Sequence, residues 1–81
     1  MIKVLNIKVI DSFILELTFS NGDTAHFDGA EYLASRAGSL LDLLRNPSYF
    51  SRCFVDAGAL CWPNGFELSG SRVHELSRVL A

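Results

Sequence analysis

Apolar and polar positions alternate most regularly over residues 13–19. Phe13, Leu15, Leu17 and Phe19 fall on one side, Ile14, Glu16 and Thr18 on the other. A period of two puts successive side chains on opposite faces of a pleated strand, so this segment predicts a strand with one buried face. The run before it, residues 2–10 (IKVLNIKVI), is rich in Ile and Val and predicts a first strand, closed by a turn at Asp11-Ser12. Asn21-Gly22 is a hairpin signal, because both residues tolerate positive φ. Residues 24–27 (TAHF) then return as a third strand with Ala25 and Phe27 on one face, completing a three-stranded antiparallel meander.

The pattern changes at Asp28. Asp28-Gly-Ala-Glu31 has the form of a capping box, in which the Asp28 carboxylate accepts from the Glu31 N–H and the Glu31 side chain reaches back. A short helix over about 29–36 follows, with Gly38 as its stop. Ser39 is placed to cap a second short helix over LLDLLRN, ended by Pro47, with Leu40, Leu43 and Leu44 on the packed face. Residues 52–56 and 59–62 predict a second hairpin through Asp56-Ala57-Gly58, followed by the turn Trp62-Pro63-Asn64-Gly65 and an extended Phe66-Glu67-Leu68. A final helix is expected over about 71–80, with Val73, Leu76, Val79 and Leu80 as its apolar stripe and Arg72, Glu75 and Arg78 as a charged face. The order βββ-α-α-ββ-α predicts one α+β domain over residues 1–81. Its antiparallel sheet, a three-stranded meander plus a second hairpin, carries two or three short helices.

Composition bounds what such a domain can do. At 81 residues and 49% apolar, with six Phe and one Trp, the chain fills one core and leaves little room for a deep cavity. The apolar excess is either scattered over the surface or hidden in an oligomer or partner contact, with a homodimer among the options. Net charge is −2, which argues against direct nucleic-acid binding, where neutralised phosphates call for a basic face. No apolar run approaches the ~20 residues of a membrane span, and no leader pattern is visible, so a soluble cytoplasmic protein is expected.

No set of residues announces chemistry. Cys53 and Cys61 flank the second hairpin and lack C-x-x-C or metal-ligand spacing. A three-residue loop would make them cross-strand neighbours, and a two-residue loop would set them on opposite faces. His26 and His74 are far apart in sequence. No cofactor, metal or catalytic residue is expected. Asp23, Asp28 and Glu31 are grouped around the third strand, as turn and cap residues or as an acidic patch for a basic partner surface. Trp62 continues a strand and reads as core, or else as the aromatic anchor of an interface.

Two segments, Phe19-Ser20-Asn21-Gly22 with Phe27-Asp28, and Cys61-Trp62-Pro63-Asn64-Gly65-Phe66-Glu67-Leu68, together resemble the small bacterial domain of unknown function numbered 2442. The similarity runs from the first strand to the helix after Leu68. It implies a compact α+β fold, often found beside a second small protein in an antitoxin-like arrangement, sometimes near helix-turn-helix modules. The family pattern has a small residue where Phe66 stands, and often a Pro and an aromatic where Ser69-Gly70-Ser71 stands. The expected function is thus a non-catalytic protein-binding module that regulates or inhibits a partner. Alternatives are a phage or mobile-element inhibitor of a defence complex (anti-CRISPR type, acting in the host cytoplasm) and a DNA-associated regulator. Candidate contact residues are Glu16, Asp23, Asp28 and Glu31 on an acidic side, Trp62, Asn64 and Phe66 at the turn, and Arg72 and Arg78 on the last helix.

Overall fold

A computed structural model describes residues 1–81. The alternating segments form the expected meander: β1 (Val4–Asp11), β2 (Ile14–Phe19) and β3 (Thr24–Asp28). Leu15, Leu17, Phe19, Ala25 and Phe27 turn inward and are almost completely buried. The β2–β3 turn departs from the expected geometry. Gly22 alone has positive φ (92°), and Phe19 N–H donates to Asp23 O at 2.8 Å, so Asn21 stays on the negative-φ side. Its side chain instead accepts from Asp23 N–H at 3.0 Å, a local turn bond typical of Asn.

The middle of the chain is a string of one-turn helices. Helix α1 (Gly29–Ala34) is capped by Asp28, whose carboxylate accepts from Glu31 N–H at 3.1 Å, while Glu31 makes no return bond. Gly38 does not stop α1, which ends at Ser35, but stands as N-cap of α2 (Ser39–Asp42) in place of Ser39. A 3-10 turn over Leu43–Arg45 tightens the continuation, so Leu41 and Leu44 are buried and Leu40 and Leu43 stay 48% and 51% exposed. Pro47 opens a helix rather than only ending one. Asn46 caps α3 (Pro47–Phe50), accepting from Ser48 and Tyr49 N–H at 2.9 and 3.2 Å, with proline at the position where its missing N–H costs nothing. Arg45 locks this connector by donating to the carbonyls of Leu33 (2.8 Å) and Arg36 (2.7 Å).

A second sheet has order β4-β5-β6, from β4 (Phe54–Asp56), β5 (Ala59–Cys61) and β6 (Glu67–Leu68). Its Trp62 is 2% exposed and donates its indole N–H to Phe50 O at 2.9 Å. Aromatic rings link the two sheets through the helical connector. Successive centroid distances are 5.2 Å (Phe13–Phe50), 5.4 Å (Phe50–Trp62), 5.8 Å (Trp62–Phe66), 6.3 Å (Phe66–Tyr32) and 5.7 Å (Tyr32–Phe27).

The last helix is shorter than its apolar stripe suggests. Helix α4 spans Gly70–Leu76, capped by Ser69, which accepts from Arg72 N–H at 3.1 Å. Ser77 then turns extended and spends its hydroxyl on Val73 O, a local bond that competes with helix continuation. Residues Arg78–Val79 form β7, pairing with His26 and Ala25, and Leu80 N–H reaches Thr24 O at 2.8 Å. The free backbone groups at the edge of β3 thus win the segment, giving a four-stranded sheet β1-β2-β3-β7. Val79 and Leu80, expected on a buried stripe, are 44% and 38% exposed.

Two contacts fix α4. Gly70 is buried where a Cβ would lie against Ile2 O, 2.8 Å from Lys3 Cα and 2.9 Å from Gly58 O. His74 stacks edge-on against Phe19 at 4.9 Å and bonds Asp23 at 2.8 Å. The bond to His74, with a second from the Asn21 amide, holds the Asp23 carboxyl below its usual range.

Gly70→Ala pushes on backbone rather than on a flexible side-chain end. It should destabilise by about 3 kcal/mol, the upper end of ordinary overpacking, measured by urea unfolding. A carboxyl whose folded pKa is depressed contributes stability above its unfolded value and loses it as pH falls through the folded one. Wild type should therefore melt above Asp23→Asn at pH values over about 5, and the gap should close as pH drops below about 4. A gap of constant size down to acid pH would show that the bond to His74 does not set the Asp23 titration.

Candidate partner-binding groove

The shortness of β7 creates the site. With Leu80 it covers the edge of β3 from Thr24 to His26 and no further, so the sheet opens beside Phe27 and Asp28. A groove of about 470 Å³ lies there, between the start of α1 and the end of α4, lined by Ile14, His26, Asp28, Glu31, Leu76 and Arg78. A shallower extension of about 80 Å³ shares Asp28, Glu31 and Leu76 and continues past Tyr32 to Arg36. The volume falls within the range of small binding sites.

Each lining side chain is held by its own element. Asp28 is fixed as the cap of α1, and Glu31 stands exposed in the first turn of that helix. His26 is half-buried on the outer face of the sheet, its Nε2 3.1 Å from Glu16 Oε1. Strand register sets Lys8, Glu16, His26 and Arg78 in one row across all four strands, a polar line that ends at the groove. At the far end the Arg36 guanidinium lies 4.1 Å over the Tyr32 ring, a cation–π contact that keeps it at the rim. The result is an apolar floor, Ile14 and Leu76, under a rim that carries both carboxylates and guanidinium groups.

Of the nine candidate contact residues, Glu16, Asp28, Glu31 and Arg78 meet at or beside this groove. The other five do not. Asp23 sits at the opposite end of β3, bonded to His74, so the acidic residues do not form one patch. Arg72 lies on the exposed side of α4, paired with Glu75 at 2.7 Å. Arg78 shares no helix with them, because it belongs to β7. The turn residues serve the core: Trp62 is buried, and Asn64 donates to Leu40 O at 2.8 Å while accepting from Phe66 N–H at 3.1 Å. Phe66 fills the space between Trp62 and Tyr32. An exposed aromatic anchor at Trp62 is therefore excluded. Ile14, His26 and Leu76 went unmarked in the sequence, although an isoleucine on the polar face of β2 was the available sign.

The thiols and imidazoles are also placed. The two-residue loop Ala57-Gly58 pairs Cys61 with Phe54, which puts Cys53 and Cys61 on opposite faces, and both are free. Burial pushes the Cys53 thiol up to about 11 and raises Cys61, where the Glu67 and Asp56 carboxylates add to the effect. A raised thiol pKa opposes nucleophilic chemistry. Each imidazole bonds a carboxylate, and no hydroxyl or thiol joins either pair. No helix is long and apolar enough to cross a membrane.

Comparison with curated proteins and with solved structures returned no match. The family described as "Protein of unknown function (DUF2442)" matches residues 4–72, which cover the meander, the helical connector, the second sheet and the start of α4. The chain belongs to the DUF2442 family.

Proposed function

We propose that this domain is a non-catalytic protein-binding module of the antitoxin type, which regulates a partner by seating one of its segments in the groove at the open edge of β3. The observation that carries the reading is the groove itself. Its apolar floor and rim of Asp28, Glu31, Arg78 and Arg36 suit an amphipathic segment with charges of both signs. Its walls are a capped helix start, a helix end and a paired strand, so little ordering entropy is lost on binding. The thiols with raised pKa and the imidazoles bonded only to carboxylates support a role in binding rather than catalysis.

A DNA-associated role draws less support, because four of the five arginines are engaged within the domain and only Arg78 stands apart. Arg72 pairs with Glu75, Arg45 holds two carbonyls, and Arg36 and Arg52 lie over tyrosine rings.

Co-expression with the product of a neighbouring gene, followed by affinity capture, tests the proposal. The wild-type domain should retain that product and relieve any toxicity it causes. Glu31→Lys with Arg78→Glu should weaken retention on the order of tenfold, about 1.4 kcal/mol, with an unchanged melting curve. Elution of the product without the domain, or retention indifferent to the double charge reversal, would contradict the proposed site.

A further inference from the structure

The opposite edge of the same sheet is open along most of β1. On its far side from β2, Val4 N–H donates to Gly58 O at 2.8 Å, and from Leu5 onward no strand pairs with it. Apolar side chains crowd this edge, with Leu5 60%, Val9 43% and Ile10 41% exposed. Shifts in register beside Leu5 and Ile10 leave Asn6–Val9 in regular pairing between them. An unpaired edge with exposed apolar side chains is a template for another strand, here a short one.

We propose that a second copy of this chain pairs with that edge, antiparallel, β1 against β1 about a two-fold axis at Ile7. The segment Lys3–Asp11 (KVLNIKVID) selects this occupant because it complements itself when reversed. About Ile7, Leu5 faces the partner's Val9 and Asn6 faces the partner's Lys8. Beyond the paired segment, the exposed Lys3, its stem against Gly58, lies at the same end of the contact as the partner's Asp11. Within the segment apolar meets apolar and polar meets polar, and the one charged contact at each end joins opposite signs. Moving the axis by half a residue sets Lys8 against Leu5 or against Ile7. Moving it by a full residue sets Lys8 against Lys8, or lysines against valines. Cross-strand pairs decide register, and like charges directly opposite oppose it. The Gly58 bond to Val4 limits backbone pairing to about Leu5–Val9, so the contact is small and the dimer weak. The two-fold closes the edge and forbids growth into a fibre. It also leaves both grooves open at the outer ends of a continuous eight-stranded sheet, so the dimer would offer its partner two sites.

Sedimentation over a wide range of concentration tests this with the full chain. A reversible monomer–dimer equilibrium is expected. Asp11→Lys should weaken it on the order of tenfold, because two symmetric attractions become repulsions. Lys3→Asp combined with Asp11→Lys should restore it, and Leu5→Lys should weaken it again, each with unchanged circular dichroism. The groove variant Glu31→Lys/Arg78→Glu should dimerise as wild type, which separates this result from the fate of the groove. A monomer at every concentration overturns the proposal, and so does a dimer indifferent to Asp11→Lys and Leu5→Lys.

Discussion

The fold depends on the line of aromatic rings that passes through Trp62. Phe13 and Phe27 belong to the first sheet's side, Trp62 to the second, and Phe50, Phe66 and Tyr32 bridge between them. Tilted and edge-to-face contacts of this kind add about 0.5–1.5 kcal/mol each beyond the area they bury. The indole N–H is the one polar atom in the line with no access to water, and Phe50 O satisfies it. Neither sheet has a core of its own. Fourteen buried side chains from both sheets and the connector make one cluster, so the aromatic line is where two small sheets become one domain.

The helices inherit their stability from this cluster. None exceeds seven residues, too short to persist alone in water; α1, α3 and α4 are held by side-chain caps, and all four by buried side chains. Helix α1 buries Leu33, α2 buries Leu41, α3 buries Phe50 and α4 buries Val73. The four-stranded sheet has two margins, β7 with the end of β3 on one side and β1 on the other. One margin becomes the groove, where β7 stops short of Phe27. The other becomes the apolar edge of β1. Both features of functional interest therefore lie where strand pairing stops.

The strands were legible in the sequence, because a period of two over 13–19 has no competing reading. So was the Asp28 cap, whereas the relation of Cys53 to Cys61 stayed open between a two-residue and a three-residue loop until strand register decided it. The last helix was misread for a definite reason. Val73, Leu76, Val79 and Leu80 fit a helical stripe, and nothing local reveals that β3 has an unpaired edge waiting for Arg78 and Val79. That is a tertiary demand, as is the burial of Leu41 in place of Leu40. Half of the candidate site failed the same way. Asp23 and Asp28 look close in sequence, yet a strand carries its two ends apart, and only register brings Glu16, His26 and Arg78 into one row. Asn46-Pro47 carried a usable signal for α3, read only as an ending.

The junction at Gly70 has a consequence for the order in which the chain assembles. The meander closes through turns of a few residues, so its loop-closure cost is small and it can form early. The junction instead joins Ile2 and Lys3 to Gly58 and Gly70, contacts that span most of the chain. It can form only after the connector and second sheet have collapsed onto the aromatic line. Contacts of such separation carry a larger loop-closure cost than the meander's turns, and they tie the two ends of the chain together. Releasing that tie would free Val4 and the start of α4 together and expose more of the β1 edge.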